Sequence, residues 1–555
     1  MYYGIDFETL SLYPKRSDDI VSVAVYNDHE KLFWYRDEIG NFIEWLKQHI
    51  SDIFIVHNAK FDIFWVLYNI FGIKVNFEDT YILAWLVDEN NQLSLDFLSN
   101  KFLGQRKAQK FDNLLLYDKE RLKHYNLIDA ELTYKLFHKL ISYIKNDEKL
   151  LNWYNVEKGL VEVVYQMEAT GVRIDLEEVN RQRDLLNELL FNLEKQFSDI
   201  AGDGYNMNSS QHLAYVLKSM GIDLLKSSKG NPVVSREALL YYKSIAKSQK
   251  VKNLIDIVLQ YRKAEKLYST YLFENEIIHP TFNQCGTVTG RFSSSNPNFQ
   301  NIPREEWNGI SIRKVFIPRD GYKFVDFDYS QMEICILAHY TNDGNLIAAI
   351  KSSDVHSQTA KMMFNLDCEV SEVKEKYKNF RQYAKTLNFG LMYGMSYKTL
   401  AKRLEISDKE AQKLYELYFK QFPKVKLWIQ RVHNFVKRHR FIKTIGGRYR
   451  HLKGLLSRDK SEYSRALRQS VNSIIQGSAA DIVKYNMLLI YNNLKNKYDF
   501  HILGQVHDEI LFEVKEEQVG NFVRDVKDIL ENNLLGLRVP LKVEYGIGDN
   551  WEEVH

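Results

Sequence analysis

At 555 residues the chain is longer than one hydrophobic core usually serves, so two or more domains are expected. With 45% hydrophobic and 26% charged residues, 8 prolines and no Pro-, Gly- or Ser-rich tract, the composition excludes a disordered chain. A net charge of +3, from 75 basic against 72 acidic residues, neither demands nor excludes a polyanionic partner. No apolar run approaches the roughly 20 residues of a membrane span, and Asp6 and Glu8 stand where a signal peptide would be apolar. Cys285, Cys335 and Cys368 lack metal-ligand spacing and cannot pair off completely, which points to buried thiols in a reducing compartment. These features predict a soluble intracellular protein.

Tyr2 to Thr9 and Ile20 to Tyr26 read as neighbouring strands, and Asp6 and Glu8, two apart, then project from one face. His57-Asn-Ala-Lys-Phe-Asp62 opens an apolar helical stretch. Tyr125 and Asp129, four apart within Arg121 to His138, share a helical face. Taken singly, each acid reads as an ordinary solvated carboxylate. As a converging set they would hold divalent ions, which lower the pKa of bound water and neutralise a scissile phosphate.

The order Asp-x-Glu, Asn-x-x-x-Asp, Tyr-x-x-x-Asp resembles the DEDD exonucleases of the tyrosine subtype, the proofreading module of many DNA polymerases. The resemblance implies a ribonuclease H-like α/β domain over residues 1–150, a mixed sheet flanked by helices. It implies Asp6, Glu8, Asp62 and Asp129 as ligands of two divalent ions and Tyr125 as the group orienting the attacking water. Leu12 and Asn58 match positions that contact a single-stranded DNA 3′ end. Standing alone, such a module leaves RNA trimming open.

From about residue 150 the pattern changes to long amphipathic helices, with Glu157 to Ala169 ending at Gly171 and Val172 to Asp175 extended, and the domain boundary is expected there. Helical periodicity dominates residues 176–280, where Lys243, Lys247 and Lys250 recur at helical spacing and Arg262, Lys263 and Lys266 follow. That basic face is either solvated or set against phosphates, whose contacts fix position rather than sequence. Thr287 to Pro303 is a turn-rich loop carrying Arg291 and Gln300. Tyr322 to Phe327 alternates as a strand delivering Asp328, followed by Tyr329 and Glu333. Asp354-Val-His356 precedes a helix on which Arg381, Lys385, Phe389 and Tyr393 recur every four residues, two cations before two aromatics. Arg468, Asn472 and Gln476 repeat that spacing. Leu503 to Phe512 reads as a hairpin with His507 and Asp508 at its tip and Glu509 pointing the other way. Asp328 and Asp508, distant in the chain and each at a strand end, have the layout of a nucleotidyl-transfer site in which two Mg²⁺ ions sit roughly 4 Å apart.

The Thr287–Pro303 loop, the Asp328-Tyr-Ser-Gln-x-Glu333 segment, the Arg381 to Gly394 helix, Gln476-Gly-Ser-Ala-Ala-Asp481 and the His507-Asp-Glu hairpin, in this order, resemble the family A DNA polymerases. The resemblance covers nearly the whole chain. It implies a right-hand polymerase over residues 151–555, with a thumb at about 176–280, a palm at about 281–345 and 465–555, and fingers at about 346–464. It implies Asp328, Asp508 and the Tyr329 carbonyl as ligands of two Mg²⁺, with Mn²⁺ able to substitute, and Glu509 as a secondary acid. Glu333 matches the steric gate against a ribose 2′-hydroxyl. Arg381 and Lys385 would bind the triphosphate, Lys385 also protonating the departing pyrophosphate. His356 would lie near the phosphates, Phe389 near the sugar and base, and Tyr393 near the templating position. Arg291, Gln300, Arg468, Asn472, Gln476 and His507 would line the primer-template, polar groups meeting the minor-groove acceptors common to correct pairs. The family usually has arginine where this chain has Cys335.

The function implied is template-directed DNA synthesis with 3′-5′ proofreading. Its partners are primer-template DNA, a single-stranded DNA 3′ end and deoxynucleoside triphosphates; no membrane contact is expected, and a monomer is. No thumb insertion for a processivity partner is visible. The rivals are an exonuclease whose second half only holds nucleic acid, a single-subunit RNA polymerase and a non-catalytic replication scaffold. The chain begins almost at its first strand, so no 5′-nuclease domain is expected. That points to a phage-encoded or organellar-type enzyme, in the cytoplasm of a bacterial or phage-infected cell near the nucleoid, or in an organelle.

Overall fold

The computed structural model describes residues 1–107, 118–352, 354–532 and 535–554. Five strands, β1 (Tyr2–Thr9), β2 (Ile20–Tyr26), β3 (Lys31–Tyr35), β4 (Ile53–Val56) and β5 (Asn76–Asp79), form one sheet in the order β3-β2-β1-β4-β5. β2 pairs antiparallel with β1 and β3, whereas β4 runs parallel to both β1 and β5. Every residue of β2 is buried, as suits a strand covered on both faces. The result is the mixed, helix-flanked sheet expected of the first domain.

The helix Lys119–Ile144 lies across β1 and β2 and is capped by Asp118, whose side chain accepts from the Glu120 N–H. Its buried face includes Leu122, Tyr125, Asp129, Leu132, Leu136 and Leu140, the spacing of one helical stripe. Gly4 sets how close it comes: a Cβ there would collide with the Ala130 carbonyl and the Tyr134 side chain. The missing side chain lets the helix rest directly on the strand that carries Asp6.

Contact density divides the chain into two compact units. The first comprises Met1–Thr170, Thr281–Ser295 and Phe327–Glu544. The expected boundary near residue 150 falls inside the helix Glu148–Thr170, which Gly171 ends in a left-handed conformation. Glu157 on this helix is fully buried with Lys484 of the helix Lys460–Leu494. Lys484 Nζ reaches the two Glu157 carboxylate oxygens at 2.7 and 3.0 Å and the Gln284 carbonyl at 2.8 Å. Trp153 Nε1 and Gln284 Nε2 donate to the same carboxylate. Lys484→Met leaves that charge buried without its cation, and an expected loss of about 3–5 kcal/mol is read from the denaturant midpoint.

In the same unit Phe500–Val506 and Glu509–Lys515 pair antiparallel, Val506 opposite Glu509, so the turn is His507-Asp508. The strand Tyr322–Tyr329, whose end from Phe327 onward belongs to this unit, neighbours Glu509–Lys515 in one sheet.

The second unit comprises Gly171–Pro280, Asn296–Asp326 and Tyr545–His555. Its helices Leu176–Ala201, Ser210–Ser219, Arg236–Ile245 and Gln249–Tyr271 share a core that includes Leu193, Phe197, Leu213, Leu239 and Leu254. The single basic stripe expected through Lys243, Lys247 and Lys250 is interrupted. Extended backbone at Ala246 and Ser248 ends one helix and starts the next, leaving Lys247 between them. Lys243 is instead paired with Asp256 at 2.6 Å. Lys263 sits over the Trp307 ring at 4.3 Å. Gln300 lies in the short helical turn Phe299–Asn301, anchored by the Phe299 ring stacked on Trp551 at 4.6 Å. Among the described residues no helix is long and apolar enough to cross a membrane.

Candidate active sites

The amino-terminal sheet and the helix Lys119–Ile144 bring Asp6, Glu8 and Asp129 together, each offering a carboxylate oxygen within 4.8 Å of the others. Asp129 is fully buried and paired with Lys107, whose ammonium also stands 5.3 Å from the Tyr125 ring centre. Burial, then the neighbouring Asp129 and Glu8, push the Asp6 carboxyl well above the ordinary carboxylate range. Asp62 is raised by burial and by Asp79 and Glu8, and it stands outside the tight trio. Burial first, and then Asp129, push the Tyr125 phenol up to about 12, so it stays protonated and able to donate. A half-buried, oxygen-only set of mutually repelling carboxylates fits a hard divalent cation.

Asn58 and Leu12 flank this cluster in sequence. Asn58 adopts φ 87° because its N–H and that of Ala59 are drawn onto the buried Asp79 carboxylate at 3.1 and 2.8 Å. From there the chain enters the helix Lys60–Tyr68, wound in the wide π form rather than as a regular α-helix. Leu12 is 76% exposed.

The second site forms where the strand Tyr322–Tyr329 ends beside the hairpin tip. The Tyr329 N–H donates to the Asp508 carbonyl at 3.3 Å, so Asp328 and Asp508 sit on adjoining chain segments. The turn is held by left-handed backbone at His507 (φ 57°) and by Gln505 Nε2 donating to the His507 carbonyl. Tyr329 is buried, its hydroxyl receiving Asn486 Nδ2 at 2.6 Å. Glu509 is buried, while Asp508 stays partly open. Burial raises the Asp508 carboxyl, opposed by Arg291 and His507. These two aspartates belong to no three-acid group as tight as the first, among the described residues. Even so, two carboxylates and a backbone carbonyl at one strand end are oxygen donors of the type that Mg²⁺ accepts.

Glu333, on the helix Met332–Thr341, receives Arg291 Nη2 at 2.9 Å and the Tyr393 hydroxyl at 2.9 Å. Arg291 Nη2 also lies 3.7 Å from Asp508 Oδ1. Burial raises the Glu333 carboxyl, offset by these two donors. Arg381, Lys385 and Phe389 lie on the helix Lys378–Met392, and Tyr393 follows at its end. Arg381 Nε is held by Asp354 at 2.7 Å. Burial works against the Asp354 carboxylate, yet Arg381 and Ser357 bring it down to about 2. His356 is lowered to about 4, chiefly by burial, and is therefore neutral near pH 7. It accepts from Asn388 Nδ2 at 3.1 Å and its ring lies 5.3 Å from that of Phe389. Lys385 is exposed. Arg468, Asn472 and Gln476 share the helix Lys460–Leu494, Asn472 Nδ2 donating to Gln476 Oε1 at 3.3 Å. A cleft of about 800 Å³ opens beside Tyr393 and Arg468. Cys335 is buried, and burial pushes its thiol up to about 12.

Several supporting residues escape sequence reasoning. Asn126 is fully buried, donates to the Asp6 carboxylate at 2.6 Å and the Asp6 carbonyl at 3.1 Å, and accepts from Ser22. Its only sequence signal is its place between Tyr125 and Asp129. Asp79 and Lys107 act from loops or strand ends with no motif of their own. A third acidic group, Asp88, Glu89 and His451, also has metal-ligand spacing, but Lys101, Lys453 and Arg450 already neutralise it.

The mixed sheet thus carries one carboxylate cluster, and the strand-and-hairpin pair presents two further aspartates on adjoining segments. The family model for a 3′-5′ exonuclease matches residues 2–145, and that for DNA polymerase family A matches residues 176–553. The second match spans more than half of the chain, and the protein belongs to DNA polymerase family A. It is 33% identical to DNA polymerase I of Borreliella burgdorferi over 100% of this chain and 62% of that one. It is 34% identical to DNA polymerase I of Caldicellulosiruptor bescii over 94% of this chain and 61% of the relative. For the thermostable DNA polymerase I of Thermus aquaticus the identity is 36%, over 76% and 51%. The chain thus spans between half and two thirds of the length of these curated relatives. The solved POL domain of Pol1 from M. smegmatis, in complex with DNA primer-template and dNTP, superposes with a TM-score of 0.86 at 26% identity, covering 100% of this chain and 96% of that one. Polymerases and exonucleases of these families generally depend on divalent metal ions.

Proposed function

We propose that this chain is a DNA-directed DNA polymerase that also trims 3′ ends, using primer-template DNA and deoxynucleoside triphosphates as a cytoplasmic monomer. The observation that carries the reading is the Tyr329 to Asp508 backbone bond, which sets Asp328 beside Asp508, with Glu333 wired to Arg291 and Tyr393 next to them. In this reading the palm contributes Asp328, Asp508 and the Tyr329 carbonyl as the oxygen donors for two Mg²⁺ or Mn²⁺, and Glu509 stays secondary behind them. The ions, when bound, supply charge neutralisation at the reacting phosphate and activation of the attacking oxygen.

The chain's own residues supply position. Arg381 and Lys385, a helical turn apart, hold the triphosphate oxygens, and Lys385 Nζ gives a proton to the leaving pyrophosphate oxygen. His356, neutral and adjacent to Phe389, contributes a hydrogen bond rather than charge. Phe389 and Tyr393 flank the incoming base and the templating position. Arg468, Asn472, Gln476, Arg291, Gln300 and His507 supply the primer-template contacts, reading features shared by all correct pairs. In the trimming site Asp6, Glu8, Asp62 and Asp129 form the ligand set for a second pair of ions. The protonated Tyr125 hydroxyl orients water, and Leu12 and Asn58 hold the single-stranded 3′ end.

Glu333 separates DNA synthesis from RNA synthesis, because a buried side chain fixed by two donors cannot swing aside for a 2′-hydroxyl. Glu333→Ala is expected to reduce discrimination between deoxy- and ribonucleotides by roughly 10- to 100-fold, measured as the ratio of single-nucleotide kcat/KM values. Primer extension with four deoxynucleotides, run beside degradation of a labelled single strand, tests the whole reading. A chain that degrades but never extends would return it to the class of nucleases with a nucleic-acid-holding domain.

A further inference from the structure

Arg448 belongs to none of the motifs that carry the chemistry, yet it is 2% exposed at the centre of a dense polar network. Its Nε and Nη2 both lie 2.6 Å from Asp481 Oδ1, a fully buried carboxylate. Asp481 Oδ2 is occupied by the Gly446 N–H at 2.9 Å, so the ion pair is tied down on both sides. Arg448 Nη2 reaches beyond this pair to the carbonyls of Thr289, at 2.9 Å, and Gly477, at 3.0 Å. One guanidinium thereby joins the loop that leads to Arg291 with the helix position next to Gln476.

The loop is gripped from a second direction. Trp85, 2% exposed on the helix Thr80–Val87 that follows β5, donates its Nε1–H to the Thr287 carbonyl at 3.3 Å, and its ring lies 5.1 Å from the Arg448 guanidinium carbon. Thr287 Oγ1 in turn donates to the Arg291 carbonyl at 2.8 Å. Gly290 takes φ 88° here, and a Cβ on it would collide with the Arg448 guanidinium. The backbone on either side of Gly290 is thus closed over Arg448, and Arg291 leaves it pointing at Glu333.

We infer that Arg448 and Trp85 are positioning residues for nucleotide selection: by fixing the Thr287–Thr289 backbone they hold Arg291 on Glu333, and so hold the side chain that excludes a 2′-hydroxyl. The inference rests on the synthesis reading above. It assigns a role in sugar discrimination to a tryptophan of the trimming half, which reaches Arg291 only through the Thr287 turn. A buried salt bridge alone would explain Arg448 as structural, but it would not explain a donor from a second element converging on the same five-residue turn.

The test is a set of mutant cycles on the full chain, read as the ratio of kcat/KM for a deoxynucleotide over its ribonucleotide. Arg448→Lys keeps the charge opposite Asp481 but loses the planar fork; Trp85→Phe keeps the ring and loses only the N–H. Each is expected to lower the ratio by roughly 5- to 10-fold, the equivalent of about one hydrogen bond. In an Arg291→Ala background neither is expected to change it further, because their route to Glu333 is already cut. A ratio untouched in both single variants, or one that falls equally with Arg291 absent, overturns the inference. If Arg448→Lys does not fold, Trp85→Phe decides alone. A wild-type chain that extends no primer removes the synthesis reading and this inference with it.

Discussion

Asp508→Ala is expected to abolish primer extension while leaving the digestion of single-stranded DNA intact. Asp508 stands at the junction of the strand Tyr322–Tyr329 and the hairpin with its carboxylate partly open, so on the proposed reading its loss removes one of the two aspartate ligands. A reduction on the order of 10³-fold, about 4 kcal/mol of transition-state stabilisation, is the scale for losing one essential electrostatic group. The fold should survive, because the bond joining the hairpin tip to Tyr329 uses the Asp508 main-chain carbonyl rather than its side chain. Burial already disfavours the charged carboxylate, so alanine also removes a desolvation cost. Extension and degradation gels run on the same preparation check the result, and a folded variant that lost both activities would contradict two separate sites.

Asp6→Ala should give the opposite phenotype, extension retained and 3′ trimming lost by a similar factor. Burial and the neighbouring Asp129 and Glu8 push the Asp6 carboxyl up, so a cation held there would relieve repulsion among these acids. Removing it leaves Asn126 bonded to the residue 6 carbonyl at 3.1 Å, so the helix Lys119–Ile144 keeps its anchor on β1. Mn²⁺ binding measured by titration calorimetry provides a readout beside activity: Asp6→Ala should lose the component that Asp508→Ala retains. Equal metal binding in wild type and Asp6→Ala would remove this carboxylate from the ligand set.

The strand that carries Asp6 and Glu8 and the hairpin that carries Asp508 were legible because their signals are local. β1 and β2 have the predicted bounds, and the hairpin turn falls on His507-Asp508, since period-2 burial and turn chemistry both act over a few residues. The drifting stripe from Arg381 to Tyr393 was legible for the same reason. The basic stripe after Lys243 was not, because extended backbone at Ala246 and Ser248 breaks the helical phase without any Gly or Pro to announce it. Asn126, Asp79, Arg448 and Trp85 were invisible for a different reason. Each works through main-chain atoms or carboxylates 21 to 202 residues away, at Asn58, Asp6, Thr287 and Thr289. Such partners are fixed by tertiary packing, and no spacing in the sequence encodes them.

Trp85 and Glu157 both precede the segment that carries the synthesis motifs, yet each is sealed beneath it, one against the Thr287 turn and the other against Lys484. The two halves are therefore not beads on a string. On the proposed reading, trimming would be silenced by a single carboxylate exchange, whereas excising its scaffold would remove Trp85 and Glu157 from beneath the Thr287 turn and Lys484.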